Sequence, residues 1–206
     1  TNRGVFARFS VAEAGGFLGG GFDYVKLSWE VRTYIDPVPK KLVLAMHLQA
    51  GWILPWGDTR AAPLSQRFKI GGSGTVRGWG RDMLGPRLYP VTDDGGASCE
   101  NNDSGDCDPI PIGGHLALFG GPEVRAYLVS IGKMRLGFAV FLDAGRVWDN
   151  EGYFDLADLM VTAGLGPRLR TAFGSFRLDL AVRLNQDDAF EDDPRVLLHF
   201  GFSEAF

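Results

Sequence analysis

The feature that most constrains this chain is a period-two alternation of apolar and polar residues, recurring in segments of about ten residues. In the clearest segment Phe176, Leu178, Leu180, Val182 and Leu184 interleave with Arg177, Asp179, Ala181, Arg183 and Asn185. Successive side chains of an extended strand point to opposite faces, so such a segment has one greasy face and one charged face. The same split separates Val25, Leu27, Trp29 and Val31 from Lys26, Ser28, Glu30 and Arg32. It recurs in Leu42, Leu44, Met46 and Leu48 against Lys41, Ala45, His47 and Gln49, and in Leu136, Phe138, Val140 and Leu142 against Arg135, Gly137, Phe141 and Asp143. The last segment sets Val196, Leu198, Phe200 and Phe202 against Arg195, His199, Gly201 and Ser203. With weaker runs near residues 5 to 14, 115 to 128 and 159 to 170, the pattern predicts about eight strands and an all-β chain. The 29 glycines and 12% aromatic content fit many turns and close backbone contacts.

Alternation alone also fits a water-soluble sandwich, so the connections carry the next step. Those near 171 to 174, 132 to 133 and 36 to 40 are short; those near 187 to 194, 150 to 158, 55 to 114 and 15 to 23 are mostly longer and richer in Gly or Asp. Short turns alternating with long loops are the asymmetry of outer-membrane barrels, whose polar face looks into a lumen and whose short turns are periplasmic. The expectation is an antiparallel up-and-down transmembrane β-barrel, half of a large one or a small closed one, with Phe206 at the periplasmic end. Trp52, Trp56, Tyr34, Tyr127, Trp148 and Phe206 sit at or near strand ends and are expected to form interfacial girdles. No run approaches the roughly 18 to 20 apolar residues of a spanning helix. The net charge of −4 argues against a nucleic-acid partner, and the start, Thr1-Asn2-Arg3-Gly4, shows no signal peptide.

The long stretch 55–114 contains Arg67-Phe68-Lys69-Ile70-Gly71-Gly72-Ser73-Gly74-Thr75-Val76-Arg77-Gly78-Trp79 and continues through Leu84-Gly85-Pro86. Its glycines permit tight turns around one presented arginine, and a loop this long among compact connections is usually functional. Folded into a polar lumen, it would need that guanidinium paired, because an unpaired buried charge is costly. Cys99 and Cys107 lie close together in a polar stretch, which suits either a local disulfide in an oxidising compartment or two reduced thiols.

Val76-Arg77-Gly78-Trp79, preceded by Phe68-Lys69-Ile70-Gly71-Gly72, resembles the Val-Arg-Gly-aromatic signature in the sixth extracellular loop of the BamA family. Phe141-Leu142-Asp143-Ala144-Gly145 is similar to that family's Phe-x-Asp-x-Gly strand, and Glu123 follows an opening Gly113-Gly114 as it does there. The ending, with Phe200, Gly201, Phe202 and Phe206, resembles the C-terminal signal strand, and the cysteine pair falls where the familiar type carries a two-cysteine excursion. The resemblance implies the last eight strands of a sixteen-stranded barrel, with Arg77 locking the loop onto lumen carboxylates Glu123 and Asp143. By alternation Glu123, Asp143, Asp179, Arg177 and Arg183 all face the lumen.

The resemblance further implies a non-enzymatic assembly or insertion factor acting by strand addition at the C-terminal seam. Its partners would be outer-membrane lipid, unfolded outer-membrane protein clients, and a second copy or the missing N-terminal barrel half with its periplasmic domains. The rival readings are a secretory or passive pore, of two-partner or patatin-linked type, and a soluble binding sandwich. No catalytic group is proposed, since no Ser-His-Asp order or nucleophile elbow appears. No cofactor or metal is expected either: His47, His115 and His199 lack zinc spacing, and Asn101, Asp103, Asp106 and Asp108 lack the calcium-loop pattern, reading as a solvated acidic loop.

Overall fold

The computed structural model describes residues 3–39, 41–88, 110–149, 151–185 and 193–202. Eight long strands form one antiparallel sheet: β1 (Gly4–Ala14), β2 (Tyr24–Val38), β3 (Leu42–Pro55), β6 (Leu116–Ile131), β7 (Met134–Trp148), β8 (Met160–Thr171), β9 (Gly174–Arg183) and β10 (Val196–Phe202). The two remaining strands, β4 (Arg87–Leu88) and β5 (Ile110–Pro111), make a short ribbon between β3 and β6. Neighbours in sequence are neighbours in space, so the sheet is up-and-down, as the alternation and turn spacing require.

The burial pattern inverts that of a water-soluble protein. His47, Arg77, Glu123, Arg125, Asp143, Arg168, Arg177 and Asp179 are buried, while Leu136, Phe138, Val140, Leu142, Leu178, Leu180 and Val182 are exposed. One sheet face is covered by the long connection between β3 and β6, and the charged side chains lie there; the other face is a continuous apolar surface. Such a surface is stable against hydrocarbon and would be a large liability in water. Strands of 10 to 16 residues, seen in β2, β3 and β6 to β9, are long enough to cross a bilayer when tilted.

One expectation is corrected here. The aromatic residues at strand ends do not all look outward: Tyr127 and Trp148 are buried on the inner face, Trp148 packing on Phe154 with ring centroids 4.9 Å apart. Trp56 is exposed as expected, and further exposed aromatics lie in the connections, among them Phe17, Phe22, Tyr153 and Phe173. The sheet is open, in keeping with the first of the two alternatives for the barrel: among the described residues β1 pairs with β2 alone and β10 with β9 alone. Open edges in lipid leave backbone groups unsatisfied at several kcal/mol each, so both edges call for pairing partners within a membrane.

Candidate functional site

The residues that the loop brings to the inner face define the site. Ile70, Val76, Trp79 and Leu84 are fully or almost fully buried and pack with Ala117 of β6, Val147 of β7 and Met160 of β8. Backbone bonds pin the loop at its base, with Phe68 paired to Gly114 and Ile70 to Leu84. Gly71 has φ of 119°, a conformation that side-chain-bearing residues rarely adopt. Gly78 meets a different demand, close approach: a β carbon there would collide with the Thr162 side chain on β8. The glycines therefore let the loop turn tightly and lie directly on the sheet.

Between them Arg77 reaches into a cluster of carboxylates. Its Nε donates to Asp143 Oδ2 at 2.7 Å and its Nη2 to Asp143 Oδ1 at 2.8 Å, a bidentate fork, and its backbone N–H donates to Oδ2 at 3.1 Å. Nη1 donates to Glu123 Oε2 and lies 3.7 Å from Asp179 Oδ2. The guanidinium stacks on the Phe141 ring, 3.3 Å from its centroid. The side chain is 1% exposed and those of Glu123 and Asp143 are 0% and 1%. Burial by itself disfavours the Arg77 cation, but the hydrogen bonds and charge of Asp143, joined by Glu123, outweigh it and hold the group above the ordinary arginine value.

The cluster continues along the sheet. Arg125 Nε donates to Glu123 Oε1 at 2.6 Å, Arg168 Nη1 to Asp179 Oδ1 at 2.5 Å, and Arg177 Nη1 to Asp179 Oδ2 at 2.9 Å. Four arginines thus interlock with three carboxylates: Glu123 and Asp179 each hold strand guanidinia as well as the loop's, while Asp143 is given to Arg77. Trp79 lies under the Arg183 guanidinium, 3.5 Å from ring to carbon, and Arg183 Nε donates to the Gly78 carbonyl at 2.7 Å.

Val76, Arg77, Gly78, Trp79, Glu123 and Asp143 therefore meet at one place. Phe200 and Phe202 lie elsewhere, exposed on the apolar face, with Phe202 against Phe176 at 5.0 Å between centroids. Gly201 faces inward opposite Arg177, whose side chain lies across it. Cys99, Cys107 and Phe206 are outside the described residues; the β4–β5 ribbon closes the base of the segment that carries the cysteines. Sequence reasoning missed Arg125, Arg168 and the stacking role of Phe141. A usable signal was present: Gly121-Pro122-Glu123-Val124-Arg125 and Gly166-Pro167-Arg168-Leu169-Arg170 repeat one pattern, placing charges at matching positions of β6 and β8.

The chain as a whole matches a known family. The profile of the Omp85 superfamily domain matches residues 1–206. The chain belongs to the Omp85 superfamily. Two curated Omp85 relatives, each named outer membrane protein assembly factor BamA, are similar to it. That of Neisseria meningitidis serogroup B is 26% identical over 148 residues, 70% of this chain and 16% of the relative. That of Nitratidesulfovibrio vulgaris is 29% identical over 175 residues, 84% of this chain and 19% of the relative. Among solved structures, BamA from Haemophilus ducreyi lacking POTRA domains 1-3 superposes with a TM-score of 0.73 at 20% identity, over 98% of this chain and 38% of that one. The Omp85 chain thus shares the fold of a BamA barrel segment and spans under a fifth of the length of those two curated relatives.

Proposed function

We propose that this chain is the last eight strands of an outer-membrane barrel that assembles other outer-membrane proteins, with the 55–114 connection locked in the lumen by Arg77. The observation that carries the reading is the buried pairing of Arg77 with Asp143 and Glu123. A loop arginine that forks onto one strand carboxylate and reaches a second holds a mobile element at a fixed place inside a barrel. The names of the relatives support assembly as the activity. In this reading Phe206 is periplasmic, the long loops are extracellular, and β10 is the edge to which a client strand adds through free backbone groups.

The test is reconstitution of the full-length protein in lipid vesicles with an unfolded outer-membrane protein as client. The proposal expects the client to reach its heat-modifiable folded form faster than in empty vesicles. An intact, folded barrel that gives no acceleration would overturn it, and export of a soluble polypeptide in its place would support a secretion pore.

A further inference from the structure

The loop is held at its backbone as well as at its motif side chain. Arg177 Nη2 donates to the Ser73 carbonyl at 2.7 Å and Arg183 Nε to the Gly78 carbonyl at 2.7 Å, both from β9. From β10, His199 Nε2 lies 2.5 Å from the carbonyl oxygen of Arg77 itself. A carbonyl has no hydrogen to give, so His199 is the donor and carries its hydrogen on Nε2. Arg77 is therefore bonded in two directions: its guanidinium to β6, β7 and the Asp179 charge, its carbonyl to the edge strand.

We propose that His199 is the positioning residue through which the seated loop holds the edge strand β10 closed on the sheet. Among the described residues, β10 is a seven-residue strand with a ladder to β9 alone, and its outer side chains Val196, Leu198, Phe200 and Phe202 are exposed. A strand of seven residues opens at lower cost than the longer strand beside it, because fewer bonds hold it. On the inner face His199 is the described β10 side chain bonded to the loop. Opening β10 must break that bond or drag the loop with it. The loop does not follow, because four donors of Arg77 tie it to β6 and β7. The bond therefore adds to the cost of opening, and the state of the loop is transmitted to the strand where a client would pair. This rests on the loop-seating reading above and extends it from the loop to the edge.

Hydrogen–deuterium exchange of the 196–202 amides, in the full-length protein in lipid bilayers, tests the link. His199→Leu keeps bulk and removes the donor; exchange should rise about two- to tenfold, the range one net hydrogen bond supplies. His199→Gln, whose amide nitrogen reaches a similar place, should return exchange to near the wild-type rate. If the leucine variant fails to fold, His199→Asn, too short to reach the carbonyl, takes its place. With Arg77→Ala the loop is released, and His199→Leu should then add nothing. A rise of equal size with and without the Arg77 side chain would support the His199 link while contradicting the Arg77 lock. Unchanged exchange in His199→Leu, or a glutamine variant no better than leucine, overturns the proposal.

Discussion

At the scale of single residues, the cluster around Arg77 shows why a loop can stay seated on the charged inner face of the sheet. Burying a guanidinium is unfavourable unless its donors are matched, and here Asp143 takes two side-chain donors and the backbone N–H while Glu123 takes a third guanidinium nitrogen. Breaking one side of such a buried pair costs about 3–5 kcal/mol. Asp143→Asn should therefore unseat the loop, and limited trypsinolysis would read it. Cleavage after Arg77, a side chain only 1% exposed in the native protein, is expected in the variant and absent in the parent. Arg77→Lys should behave similarly, since an ammonium cannot fork onto one carboxylate. Because Arg77 is held above its ordinary value, its contribution is complete below that value, near pH 12, and is lost only as pH passes the raised one. Deprotonation of Arg77 is thus no route to release in any working buffer, and its resistance to trypsin should be the same at pH 7 and pH 9. Gly78→Val presses on the Thr162 side chain from the loop side and should cost about 1–3 kcal/mol of loop seating, visible in the same assay.

At the scale of elements, the strands were legible because alternation is a local signal that tertiary packing preserves. Leu178, Leu180 and Val182 are exposed on the apolar face while Arg177, Asp179 and Arg183 are buried on the other, as the sequence of β9 reads. A charge on the apolar face should cost roughly 2 to 4 kcal/mol near the bilayer midplane. Leu180→Arg should accordingly lower the yield of heat-modifiable barrel in membranes far more than Gln49→Arg, whose inward charge would sit beside Glu30. Equal yields would show that the faces are assigned wrongly. The ladder breaks were not legible. Described β6–β7 pairs skip Gly121 and Pro122, and β8–β9 pairs skip Gly166 and Pro167, because proline has no N–H to give and no alternation rule marks where a strand bends. Tyr127 and Trp148 were misread for a related reason: position near a strand end does not say which face a side chain takes once a loop covers the inner rim.

At the scale of the whole molecule, the sheet presents two edges and one sealed inner face. Both edges need partners within a membrane, and β10 is the one whose inner side chain touches the loop. The loop motif could be placed from the sequence only through family resemblance, because the carboxylates that receive Arg77 lie 46 and 66 residues away along the chain. The Arg77 lock joins loop and strand carboxylates into one device, and in the function proposed above that device makes the barrel competent to assemble a client. The most direct measurement of that competence is the rate of client folding by vesicle-reconstituted full-length protein carrying Arg77→Ala, with barrel integrity followed by heat-modifiability. The expected result is a folded barrel whose assembly rate falls at least about tenfold, the effect of losing about 1.4 kcal/mol or more from the competent state. A folded Arg77→Ala barrel that assembles its client at the wild-type rate would contradict it.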